Sequence, residues 1–183
     1  MNFRGYKLHV IAAACLLSVL LGLGVRHMVY SSRVAGPLER DFALIPGVAR
    51  AAVQQRGRDT EIVLELEPVH DLQRLYKEAD ALRAARLPEG TSHLIIKDRR
   101  TEELTAVYRR IHFAVYEGAA TGMFTRMAAI IDDMAAGLPA DVLVSVDGRF
   151  IYVQIVSGDD YLYEIVPLAR WLAGDPREGG GRL

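Results

Sequence analysis

The chain has 183 residues, room for one average domain or two small ones, and its single cysteine excludes an internal disulfide and a cysteine-based metal site. Three of its 22 basic side chains and none of its 23 acids lie in residues 1–30, so the remainder carries 19 basic residues against 23 acids. A mildly acidic domain without clustered Lys and Arg is a poor polyanion binder, and no nucleic-acid partner is expected.

Leu8 to Val25 is an 18-residue run with no charge, closed by Lys7 and Arg26. At about 1.5 Å per residue it reaches roughly 27 Å, close to a hydrocarbon core of about 30 Å. Residues 27–30 extend it toward an interface, where Tyr30 is favoured and Arg26 snorkels. The expectation is an N-terminal segment, 1–30, with a transmembrane anchor over 8–28 and the lipid bilayer as its partner. A secretory signal competes: Arg4 and Lys7 form a basic n-region, and cleavage would release a soluble domain. The nearest small-residue site, Val34-Ala35-Gly36, lies beyond the apolar run and fits an A-x-A pattern poorly. Cys15 reads as a small apolar residue, since "IAAAC" lacks the Leu of a lipoprotein site. Basic residues flank the run on both sides, and a short basic N-terminus ahead of one span favours the inside. That places the protein in the cell membrane, single-pass, with a cytoplasmic N-terminus and an extracytoplasmic domain.

"GPLERDFALIPG" predicts a short helix, with Pro37 in its first turn and Leu38, Phe42 and Ile45 on one face. "VARAAVQQ" predicts a strand with Ala49, Ala51 and Val53 on one side. After the turn "RGRD", "TEIVLELEP" alternates cleanly: Ile62, Leu64 and Leu66 inward, Glu61, Glu65 and Glu67 outward. "HDLQRLYKEADALRAAR" predicts a helix capped by His70 or Asp71, with Leu72, Leu75, Tyr76, Ala79 and Leu82 as its stripe. "SHLIIKD" follows as an apolar strand.

Thr101 caps a further helix running toward Ala136, about three times the mean helix length. Gly118 and Gly122 in its middle predict a bend or a break there, or a close contact with the sheet. Val142, Val144 and Val146 then alternate, and Asp147-Gly148 predicts a two-residue I′ hairpin. Ile151, Val153 and Ile155 continue one face, Ser157 to Asp160 turn the chain, and Tyr161 to Val166 complete a meander. Tyr152, Tyr161 and Tyr163 read either as an exposed aromatic patch or as packing against the long helix.

The fold class expected is therefore α+β. It comprises an N-terminal transmembrane helix, an α-β-β-α-β module (37–100), then a long bent or split helix with a three-stranded antiparallel meander (101–173) docked on the module, and a flexible tail (174–183).

"IPGVARAAV", "TEIVLELEP", "HDLQRLY" and "LIIKDRRTEEL" together resemble the ring-building motif of bacterial type III secretion, flagellar and sporulation complexes. Gly47-Val48 match its helix-to-strand step, and Asp98 with Leu104 match its closing strand and turn. The resemblance covers about residues 37–104 and implies self-association into a membrane-associated ring or scaffold.

Chemical candidates are few. His70-Asp71 reads as a helix cap, and Asp132-Asp133 and Asp159-Asp160 as solvated surface, because neither pair has the spacing of a calcium loop or two-metal site. His112, Tyr116 and Glu117, at i, i+4 and i+5 on the long helix, are the pocket candidates, with a bond from His112 to a backbone carbonyl as the structural alternative. No catalytic residue, cofactor or metal is otherwise expected. The function expected is a single-pass membrane-anchored protein acting as a protein-interaction or self-assembling scaffold component. Its partners would be other membrane or envelope proteins and further copies of itself. The alternative is a membrane-tethered enzyme or small-ligand sensor using the His112, Tyr116 and Glu117 pocket.

Overall fold

The computed structural model describes residues 35–168 except 89, together with residues 12, 13, 15–19 and 21. From Gly36 to Pro167 the elements run α1 (Gly36–Ala43), β1 (Val48–Arg56), β2 (Asp59–Leu66), α2 (Leu72–Arg86), β3 (Ser92–Lys97), α3 (Glu102–Thr121), α4 (Phe124–Ala135), β4 (Asp141–Val146), β5 (Phe150–Ser157) and β6 (Asp160–Pro167). They build two three-stranded sheets, β1-β2-β3 and β4-β5-β6, in an α+β arrangement.

The expected transmembrane helix over 8–28 is corrected. Among the described residues no helix is long and apolar enough to cross a membrane. Residues 15–19 of the leader are helical. The other residues of that segment, and the tail over 174–183, lie outside the described residues.

In the first sheet, β1 and β2 are antiparallel, with Arg56 opposite Asp59, and β2 and β3 are parallel, with α2 as the crossover. Leu38, Phe42 and Ile45 are buried as their spacing predicted. Gly47 leads into β1 at φ +93°, and a Cβ there would stand 2.5 Å from Val69 Cγ1. Conformation and space both demand glycine. β1 departs from simple alternation: an irregularity between Val48 and Arg50 turns Val48 into the core and leaves Ala49 exposed, while Val53 stays inside. The outer edge of β1 is closed by α1, where Val53 N–H donates to Glu39 Oε1 at 2.9 Å.

Asp71, not His70, caps α2, accepting from Arg74 N–H at 2.9 Å. Thr101 caps α3 in the same way, accepting from Leu104 N–H at 3.3 Å. The long helical stretch divides at Gly122, whose φ of +74° ends α3. Gly118 has a separate role: a Cβ on it would collide with the Met127 side chain. The glycine therefore admits α4 to close packing, rather than the sheet as expected.

The β4-β5 hairpin also differs from expectation. Gly148-Arg149 occupies the corner, one residue later than predicted, and Gly148 has no positive φ. Asp147 Oδ1 closes the turn by accepting from Arg149 N–H at 2.7 Å and Phe150 N–H at 2.9 Å. A side-chain carboxylate does the work that a left-handed I′ pair would otherwise do.

The meander is covered on both faces. Ile151, Val153, Ile155, Leu162 and Val166 pack with α3 and α4. Phe150, Tyr152, Tyr161 and Tyr163 point the other way, into a core with α1, α2 and the first sheet. Those tyrosines are therefore buried against the first module, neither exposed nor resting on the long helix. Their polar ends are satisfied: Tyr161 donates to the Leu66 carbonyl at 2.6 Å, and Val69 N–H donates to Tyr163 Oη at 2.8 Å. Gln154 accepts from Leu72 N–H at 2.9 Å and donates to the Val69 carbonyl at 3.0 Å. Asp98 accepts from Tyr163 N–H at 2.7 Å and binds Arg100, which reaches Glu164 at 2.9 Å.

Candidate functional site

The helix α3 carries two stripes. Its inner stripe, Leu104, Val107, Ile111, Ala114, Val115 and Gly118, is buried against the meander and α4. Its outer stripe, Ala106, Arg109, Phe113, Tyr116 and Ala120, recurs at alternating steps of three and four and is exposed throughout. Phe113 is 75% exposed and Tyr116 56%, although an ordinary amphipathic helix keeps such side chains on its core face. Arg110 and Glu117, also exposed, border the stripe at one flank. Arg110 makes no ion pair among the described residues.

An aromatic row forms the other flank. The rings of Tyr108 and His112 lie 6.2 Å apart, those of His112 and Tyr116 6.5 Å, and His112 leans on Phe113 at 3.9 Å. Burial, and then the Glu164 carboxylate, push the Tyr108 phenol above its ordinary pKa, so it stays protonated. His112 Nδ1 lies 2.7 Å from the Arg109 carbonyl. A carbonyl only accepts, so Nδ1–H is the donor and the imidazole is held along its own helix.

Glu117 stands apart from these two. It lies five positions beyond His112, about 140° round the helix at 3.6 residues per turn. It faces α4, where it pairs loosely with Arg126 at 3.7 Å and lines a shallow groove with Gly118, Thr121, Met123 and Met127. Neither His112 nor Tyr116 lines that groove. The three pocket candidates are thus distributed between an exposed aromatic row and a separate inter-helix groove.

No protein-family model matches the chain, and no curated protein matches it. Among the described residues no group of three His, Cys, Asp or Glu side chains is placed to hold a metal ion. Asp132 and Asp133 are exposed on α4, and Asp160 pairs with Arg99 at 3.2 Å. The residues that carry the ring-building resemblance have structural duties here: Gly47 makes a turn, Asp98 ties β3 to β6, and Leu104 is buried.

One polar cluster escaped sequence reasoning. Asp80 is buried on α2 and pairs with Arg83 at 2.7 Å and Arg149 at 2.6 Å, and Arg83 also donates to Ser92 at 3.1 Å. Only the i, i+3 spacing of Asp80 and Arg83 was visible beforehand. With its acceptors occupied by guanidinium groups, the cluster fastens α2 to the β4-β5 hairpin. Phe113 was also missed, and its signal was the three-four spacing of the outer stripe.

Proposed function

We propose that this protein is a protein-interaction component without chemistry of its own, held at a lipid surface by its apolar leader and contacting partners through the outer stripe of α3. The observation that carries this reading is the exposure of Phe113 and Tyr116 on a helix whose opposite face is fully packed. Aromatic side chains flanked by arginine make up the composition that dominates binding energy at protein interfaces. The leader supports the lipid partner: Leu16, Leu17, Val19 and Leu21 are each at least 60% exposed. The resemblance of residues 37–104 to ring-building modules points toward assembly as well.

Cross-linking of the full chain in its native membranes, followed by sizing, tests this. The natural sequence should give adducts larger than the monomer, and Phe113→Ser/Tyr116→Ser should abolish them. Leu143→Ser, at a comparably exposed position on β4, should leave them intact. Unchanged adducts in the doubly substituted chain would overturn the reading.

A further inference from the structure

We infer that the partner of the α3 stripe is α3 of a second copy of this chain, packed antiparallel about a two-fold axis between Phe113 and Tyr116. The inference rests on the interaction role proposed above and goes further by naming the partner and its register. The order of charges along the stripe is what selects it. Arg110 precedes the aromatic pair and Glu117 follows it, both on the same flank. Antiparallel pairing sets Arg110 of each copy toward Glu117 of the other, whereas parallel pairing sets that flank against the opposite one, with Tyr108 and His112, where Arg110 meets no acid.

The side-chain sizes agree with that register. Phe113 of each copy meets Tyr116 of the other, giving two aromatic contacts about the axis. Arg109 comes opposite Ala120, where the small side chain leaves room for the guanidinium stem. The ion pairs that Arg109 and Glu117 make within one chain are exposed, at 3.4 Å to Glu102 and 3.7 Å to Arg126, so exchanging them costs little.

Such a contact closes at two copies, since an isologous interface is satisfied by its own symmetry mate. A ring would need a second surface. A contact along about four helical turns also falls short of the roughly 800 Å² per partner typical of a stable complex. It should therefore be weak for freely diffusing molecules and become populated where the leader concentrates copies on one lipid surface.

Cysteine pairing tests the register directly, on the full chain carrying Cys15→Ser and incorporated in phosphatidylcholine vesicles. Arg109→Cys and Ala120→Cys chains, mixed, should form a disulfide-linked dimer under mild oxidation. Neither should link to itself. In the antiparallel register its own mate lies eleven residues along the helix, about 16 Å away, against the roughly 4 Å between Cβ atoms that a disulfide allows. In otherwise natural chains, Arg110→Glu or Glu117→Arg alone should lower dimer formation about three- to tenfold, and the two together should restore it. Self-linking of each single variant without linking of the mixture would show parallel pairing and overturn the inference. Absence of every linked dimer, with adducts to other proteins still lost in Phe113→Ser/Tyr116→Ser, would overturn self-pairing and leave the interaction role standing. Loss of neither would remove both.

Discussion

The two faces of the β4-β5-β6 sheet are packed by different chemistry. Toward α3 and α4 the sheet offers Ile151, Val153, Ile155, Leu162 and Val166, whose side chains have no polar atom to satisfy. Toward the first module it offers Phe150, Tyr152, Gln154, Tyr161 and Tyr163, and there the interface adds hydrogen bonds to the Leu66, Val69 and Leu72 backbone. Apolar packing is tolerant of small shifts, whereas a hydroxyl at 2.6–2.8 Å from one named backbone atom fixes position. The aliphatic face therefore supplies cohesion. The aromatic face sets how the meander registers on the module.

Substitutions at each face should separate these roles. Leu162→Ala, on the aliphatic side, opens a cavity at a fully buried position and should cost about 2–5 kcal/mol in urea denaturation. A loss below about 1 kcal/mol would mean that this face is loosely packed. Gln154→Met, on the opposite side, keeps the volume and strips two hydrogen bonds, leaving Leu72 N–H and the Val69 carbonyl without this partner. It should cost about 1–3 kcal/mol. No loss would mean that Gln154 only fills space.

A pH titration should sharpen the same contrast, with smaller effects. Burial, followed by the bond to Asp147, raises the pKa of the Tyr152 phenol, and burial likewise raises Tyr163. The folded state thus favours the protonated phenols. Their stabilisation is complete below the ordinary tyrosine pKa of about 10 and is lost as pH rises beyond it. At Asp147 burial opposes ionisation, but the Arg149 and Phe150 N–H groups and the Tyr152 hydroxyl outweigh it and lower the pKa. That contribution is present above about pH 3.9 and is lost as pH falls through the lower folded value. Denaturation midpoints should fall at both extremes, and Asp147→Asn should flatten the acid limb most and the alkaline limb less, since Asp147 also holds the Tyr152 proton. Leu162→Ala should shift the whole curve without changing its shape. An acid limb unchanged by Asp147→Asn would contradict this assignment.

What was legible in the sequence was mostly local. The alternation of β2, the stripe of α2 and the caps at Asp71 and Thr101 depend on neighbours within four residues, and all are found. The break near Gly122 was also visible, because a glycine in a helix interior carries its own cost. Destinations were not legible. Ile151, Val153 and Ile155 mark one face of β5, but Phe150, Tyr152 and Gln154 are buried on the other as well, and periodicity cannot say which neighbour covers which face. The burial of Asp80 has no local cause, since its second partner, Arg149, lies 69 residues away. The grouping of His112, Tyr116 and Glu117 followed sequence spacing, but their side chains serve an exposed row and a separate groove. The leader's hydropathy predicted a spanning helix, which is not found among the described residues.

Tyr116 and Leu143 offer a matched pair for the most direct test, since their exposures are 56% and 57% and they lie on different elements. Hydroxyl-radical labelling of the full chain in vesicles, at increasing surface density, reads how each becomes covered. If the outer stripe of α3 is a contact surface, labelling of Phe113 and Tyr116 should fall as density rises while that of Leu143 stays constant. Labelling of all three that is indifferent to density, or protection shared equally by Leu143, would contradict it.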